Sequence, residues 1–244
     1  MTVCRSGRNA VAMSVVACAL ICLVLFVVPV HADLIADGSF APGTAITPLT
    51  QSWSSAADTL GTWYTGTSSG DAPFWSLVEE GGESYVRPSV NSQIPRKLLQ
   101  VIEGPAAGIR EISFRYRISD DDDYYSVARL FGINADGDFQ IALSDYLIAL
   151  SGDATADVIY DQGGTNSYLP TATEWTSVVG NIDTDADYDY YAFYATFSYD
   201  GSDGPGNGFY ADLDDVVVRT PEPGSCLLLL CGLAGIIARR REAA

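Results

Sequence analysis

Between Asp33 and Thr220 apolar residues recur at every second position, the period of a strand with one face buried and the other in solvent. The clearest run sets Ile112, Phe114, Tyr116 and Ile118 against Ser113, Arg115, Arg117 and Ser119. Tyr191, Phe193, Ala195, Phe197 and Tyr199 alternate likewise with Tyr190, Ala192, Tyr194, Thr196 and Ser198. Shorter runs predict strands over Thr62–Thr67, Phe74–Glu79, Leu98–Ile102, Tyr125–Ile133, Phe139–Leu143, Val158–Tyr160, Trp175–Val179 and Phe209–Val218. Gly81-Gly82, Gly104-Pro105, Asp136-Gly137, Gly163-Gly164 and Asp203-Gly204-Pro205-Gly206 supply the positive or fixed φ that turns need. Many short strands with such punctuation predict an all-β domain, a two-sheet antiparallel β-sandwich or jelly roll over 33–219.

The pattern changes at both ends. Residues 1–32 carry Arg5 and Arg8, an apolar run from Ala10 to Val28, and Val30-His31-Ala32. That order is a secretory signal helix with cleavage after Ala32 by signal peptidase. A retained anchor is the alternative, since the run is long enough to span a membrane, but Pro29 and the small-residue site favour removal. Val15-Val16-Ala17-Cys18 has the form of a lipobox, yet the residues after Cys18 stay apolar, which argues against lipidation.

At the other end, Pro221-Glu222-Pro223 precedes an uncharged run from Cys226 to Ala238 and then Arg239-Arg240-Arg241. Thirteen apolar residues at ~1.5 Å rise make a helix of roughly 20 Å, short of the ~30 Å hydrocarbon core. The arginines are placed to stop in the cytoplasm, and the prolines leave extended peptide outside. This triplet, short transmembrane helix and arginine cluster over 220–244 resemble the PEP-CTERM sorting signal. The resemblance implies recognition by an exosortase, with transient anchoring in the inner membrane followed by release to the cell surface or extracellular matrix. An uncut C-terminal anchor is the alternative.

Removal of both ends makes the charge more extreme. The whole chain has a formal net charge of -18, with 13 basic and 31 acidic residues. Residues 33–220 keep eight basic residues against 29 acidic ones, a net charge of −21. Such a domain repels polyanions, which excludes nucleic acid as a partner. All five cysteines (Cys4, Cys18, Cys22, Cys226 and Cys231) and the one histidine, His31, lie in the terminal segments. The exported domain therefore has no disulfide, no Ser-His-Asp or Cys-His nucleophile and no His/Cys zinc site.

Three stretches of the middle carry a second resemblance. Asp33-Leu34-Ile35-Ala36-Asp37-Gly38-Ser39-Phe40, then Leu99-Gln100-Val101-Ile102-Glu103-Gly104 with Ile112-Ser113-Phe114-Arg115-Tyr116, then Tyr210-Ala211-Asp212-Leu213-Asp214-Asp215-Val216 resemble the opening, central and closing strands of galactose-binding-like jelly rolls. That superfamily includes many carbohydrate-binding modules, so the resemblance implies sugar binding. It also implies a structural Ca2+ uniting the opening and closing strands, with Asp214, Asp215 and Asp37 as candidate ligands. Ala41 stands where the family has a glutamate.

Pyranose faces stack on exposed rings, which makes Trp63, Trp75, Tyr124 and Tyr125 the candidate ligand-binding aromatics, with Trp53, Tyr64, Trp175, Tyr190 and Tyr194 also available. Core packing is the alternative for any tryptophan in a sandwich. Tyr124 and Tyr125 follow Asp120–Asp123 in what reads as a loop. Arg115 and Arg117 concentrate scarce positive charge on one strand face, with Arg129 as a further member. They either bind an acidic sugar or pair across strands with Asp or Glu. Asn134-x-Asp136-Gly137-Asp138 and Asp183-x-Asp185-x-Asp187-x-Asp189 lack the glutamate and, in the second case, the glycine of a calcium loop, so both read as solvated turns. The function expected is a non-enzymatic, exosortase-sorted surface or matrix protein that associates with extracellular polysaccharide. The alternatives are a ligand-free structural protein and a carboxylate-pair glycoside hydrolase.

Overall fold

The computed structural model describes residues 33–49, 52–66, 75–88, 95–104, 109, 111–119, 124–143, 147–162, 169–182, 187–199 and 210–220. The signal segment and the apolar C-terminal segment lie outside these residues. Twelve strands are present among them: β1 (Ile46–Leu49), β2 (Ser52–Ser54), β3 (Trp63–Gly66), β4 (Trp75–Glu80), β5 (Glu83–Pro88), β6 (Arg96–Glu103), β7 (Glu111–Ile118), β8 (Tyr124–Leu143), β9 (Ile148–Gln162), β10 (Ala172–Asn181), β11 (Tyr190–Tyr199) and β12 (Ala211–Arg219). They form a jelly-roll-like sandwich. The larger sheet has the order β1-β3-β6-β11-β8-β2 with β9 beside β8, and the smaller has the order β10-β7-β12-β5-β4. Pairing is antiparallel except between β1 and β3, which run parallel, so the larger sheet is mixed rather than wholly antiparallel.

The alternation read from the sequence sets the core. Ile112, Phe114, Tyr116 and Ile118 of β7, with Val86, Leu213 and Val218, face Trp63, Leu98, Ile102, Leu130, Phe193 and Phe197 of the larger sheet. Full burial of each large side chain contributes about 1.5–3 kcal/mol. The opening segment seals one edge of this core. Leu34 N–H donates to the Val218 carbonyl at 2.9 Å, and the Val216 N–H donates to the Gly38 carbonyl at 2.9 Å. A Cβ on Gly38 would sit 1.8 Å from the Val216 oxygen, so no larger residue fits beneath the closing strand. That strand carries a bulge between Asp214 and Val217, centred on Asp215 at φ 48°, which keeps Val216 and Val218 inward while Asp212 and Asp214 point out.

A second apolar cluster lies on the outward face of the larger sheet. The runs expected at Tyr125–Ile133 and Phe139–Leu143 are one 20-residue strand, β8, and its partner β9 begins ten residues earlier than Val158. The hairpin bends where register shifts between Ala135 and Phe139, around Gly137 (φ 150°), with Gly152 (φ 93°) paired to Phe139. Beyond the bend it turns back across the sheet. Phe139 stacks 5.2 Å from Tyr190, and the Leu143 carbonyl accepts a 2.9 Å hydrogen bond from the buried Lys97 ammonium at the far end. Trp53 on β2, Tyr64, Leu99, Phe131 and Tyr194 are buried beneath it. The larger sheet is thus covered on both faces, and among the described residues the smaller sheet is the one with an open face.

Candidate functional site

Strand parity puts Arg115 and Arg117 of β7 on that open face. Register places Asp214 directly opposite Arg115 and Asp212 directly opposite Arg117. The Arg-x-Arg and Asp-x-Asp pairs therefore meet side chain to side chain, as cross-strand neighbours ~4.5–5.5 Å apart at Cβ do. Asp212, whose side chain is fully buried, accepts from Arg117 Nε at 2.7 Å and from Arg87 of β5 through Nε at 2.6 Å and Nη2 at 2.8 Å. Asp214, 1% exposed, accepts from Arg115 Nε at 3.0 Å and Nη2 at 2.5 Å. Asp215, Glu83 and Glu80 complete the network from its rim, the first two against Arg115 at 2.9 and 3.5 Å and the third against Arg117 at 3.2 Å.

Aromatic rings are interleaved with these charges. The Arg115 and Arg117 guanidiniums lie 4.7 and 4.8 Å from the centroid of Trp175, which reaches over from the edge strand β10. Arg117 also lies 4.9 Å from Tyr85 and 5.3 Å from Tyr210, and Arg87 is 5.3 and 5.4 Å from the same two rings. Tyr85, buried below, meets Trp175 edge-on at 5.5 Å and donates its hydroxyl to Glu80 Oε2 at 2.7 Å. Trp175 and Tyr210 are half-buried, so both retain surface that a ligand can touch.

Protonation follows from these contacts. Partial burial pulls the Arg117 guanidinium down, but the Asp212 hydrogen bond and charge outweigh it and leave its pKa above the ordinary value. Arg87 is raised chiefly by its hydrogen bond to Asp212. The Tyr85 hydroxyl, followed by Arg117, holds Glu80 below the usual carboxylate range. Burial pushes Asp214 up against the pull of Arg115. The arginines are permanent cations and the rim glutamate a stable anion at neutral pH.

The other candidate residues are placed elsewhere. Trp63 and Trp75 are 1% and 5% exposed and belong to the inter-sheet core. Arg129 is on the larger sheet, ion-paired with Asp161 at 2.9 Å, and is not part of the Arg115–Arg117 group. Tyr124 and Tyr125 begin β8 opposite Tyr199 and Ser198 of β11, so they lie in a strand rather than a loop. Asp120–Asp123 and 183–186 lie outside the described residues, and Asp136–Asp138 form the bend of the β8–β9 hairpin.

The calcium expectation meets a position that an arginine already holds. Asp214 Oδ1 accepts the Asp215 amide at 2.8 Å and its Oδ2 is taken by Arg115, as is Asp215 Oδ2. Asp37 sits on the opening turn at φ 50°. Among the described residues no group of three or more His, Cys, Asp or Glu is arranged to hold a metal ion. A cation on these aspartates has to share them with a guanidinium. Calcium binding here is tested by adding a chelator to the purified protein and following the melting curve, which stays unchanged if no metal is bound. A lowered melting temperature, abolished in Asp214→Ala, would mean that Arg115 gives way to a metal.

The sequence signal for this site was divided between two ideas. The sequence offers Arg115 and Arg117 as ligand candidates or as cross-strand partners of Asp or Glu, and Asp214 as a metal candidate; the register makes them partners. Arg87, Tyr85, Asp212 and Tyr210 escape a reading by motif. The matching two-residue spacing of Arg115-x-Arg117 and Asp212-x-Asp214 is the signal that points to the pairing.

Residues 219–241 match the PEP-CTERM protein-sorting motif. No curated protein matches the chain. Among solved structures, TmCBM61 in complex with β-1,4-galactotriose is 12% identical, with 78% of this chain and 99% of that one covered and a TM-score of 0.39. The family 11 carbohydrate-binding module from Clostridium thermocellum, in complex with a β-1,3-1,4-mixed-linked tetrasaccharide, is 6% identical, with 71% and 98% covered and a TM-score of 0.37. At such scores the chemistry of the open face rests on this chain's own residues.

Proposed function

We propose that the protein is exported, sorted by an exosortase, and held at the cell surface or in the extracellular matrix, where its sandwich associates with polysaccharide without catalysing a reaction. The sorting motif at 219–241 supports the address. Trp175 on its bed of paired arginines and carboxylates carries the binding half. A half-buried indole fixed from below offers a rigid apolar surface to a sugar ring. The guanidinium N–H groups and the rim carboxylates beside it donate to and accept from hydroxyls. The neighbours' ligands, a galactotriose and a mixed-linked tetrasaccharide, are of the same hydroxyl-rich class.

Retardation of the full-length protein in native gels containing extracellular polysaccharide from the producing cells tests this. Trp175→Ala is expected to weaken binding about tenfold or more while the melting temperature changes little, because the side chain lies on an edge strand with part of its surface in solvent. Equal retardation of wild type and variant would place binding elsewhere. Absence of retardation in both would favour a purely structural surface protein.

A further inference from the structure

Resting on that reading of the open face, we infer that its ligand is an uncharged, hydroxyl-rich polysaccharide and that uronate-bearing polymers are excluded. Among the described residues, Arg87, Arg115 and Arg117 are the cations that cluster about Trp175, with Arg219 farther along the same face on Glu111, and each is already met by carboxylate. Asp212 takes Arg87 and Arg117, Asp214 and Asp215 take Arg115, and Glu80 and Glu83 close the rim. Five carboxylates therefore surround three guanidiniums, on a domain whose net charge is −21. The buried members, Asp212 and Asp214, cannot move aside to release an arginine without leaving a charge stranded.

The members within reach of a ligand carry the decisive sign. Side chains of Glu80, Glu83 and Asp215 are 66%, 50% and 53% exposed, against 21–33% for the three arginines. A polymer carboxylate approaching Trp175 meets the rim anions first, in juxtapositions that oppose binding. A neutral sugar meets the same oxygens as hydrogen-bond acceptors. The arginines thus build and stiffen the platform rather than attract charge, and binding is expected to be insensitive to salt.

The test divides extracellular polysaccharide from the producing cells on an anion exchanger into an uncharged and a uronate-bearing fraction and measures retardation of the full-length chain by each. Retardation by the uncharged fraction alone, unchanged between low and high salt and reduced in Trp175→Ala, is the expected result. The double variant Glu80→Gln and Glu83→Gln keeps the oxygen acceptors and removes two exposed charges. It is expected to gain about tenfold in binding the uronate fraction. Stronger retardation of the wild type by the uronate fraction overturns the inference and leaves polysaccharide binding standing. Retardation by neither fraction overturns the reading of the site itself.

Discussion

Trp63→Ala is expected to destabilise the domain by about 3–5 kcal/mol, the cost of truncating a fully buried aromatic in a packed core. For a domain of this length that is a loss of about 6–20 °C in melting temperature. The environment explains the size. The indole is 1% exposed, stacks 4.9 Å from Phe40 of the opening segment, meets Phe193 of β11 edge-on at 5.9 Å, and donates Nε1–H to the Ala36 carbonyl at 2.9 Å. Its removal leaves a cavity between the sheets and takes one of two donors from the Ala36 carbonyl, which keeps Gln100 Nε2 at 2.9 Å. Trp63→Phe refills part of the space but not the hydrogen bond, and should fall between the two. Thermal or urea unfolding of purified variants measures this directly. A stable, cooperatively folding Trp63→Ala that had lost polysaccharide binding would return Trp63 to the ligand candidates. The contrast with Trp175 is the informative one, since the same substitution on the open face should spare the fold and remove binding.

That contrast shows which parts of the molecule are legible in the sequence. The parity of β7 is plain because one face is wholly apolar and the other wholly polar, and Arg115 and Arg117 follow from it at once. Tryptophans are harder, since Trp63 and Trp175 have similar alternating neighbours and differ only in what the other strands bring against them. The first half of β9 is hidden for a different reason. Its segment Ser151-Gly152-Asp153-Ala154-Thr155-Ala156-Asp157 is small and polar, and it pairs along β8 with most of its side chains in solvent. Without that strand the β8–β9 hairpin cannot be foreseen, and neither can the covering of the larger sheet that leaves the smaller one as the open face. Cross-strand pairing of Arg115 and Arg117 is legible, but the identity of their Asp partners is hidden in the same way. It depends on the register between β7 and β12, whose partners are about a hundred residues apart in sequence.

Replacing Pro221-Glu222-Pro223 by alanines is expected to convert a processed protein into one retained whole in the membrane fraction. The match to the sorting motif begins at Arg219, the last residue of β12, which is ion-paired through Nη1 to Glu111 Oε1. Thr220 is buried, and the N–H of Leu34 is tied to the carbonyl of Val218. A cut before Arg219 would remove residues from a paired strand, so processing that preserves the sheet has to fall after it. Only five residues separate Thr220 from Cys226, where the apolar run begins. At ~3.3–3.6 Å per extended residue they span roughly 17–18 Å, so the segment serves as a cleavage tract only if it is extended. Proline disfavours helix and alanine favours it, which is why the substitution is expected to block processing. Intact mass of the protein from membrane and extracellular fractions reads the outcome. The wild type is expected to begin at Asp33 and end after Thr220 without the Cys226–Ala244 tail, whereas the triple variant keeps the tail. A wild-type mass that retains the tail would make it a simple anchor. A mass ending before Arg219 would mean that β12 is surrendered during sorting and the domain refolds without its closing pair.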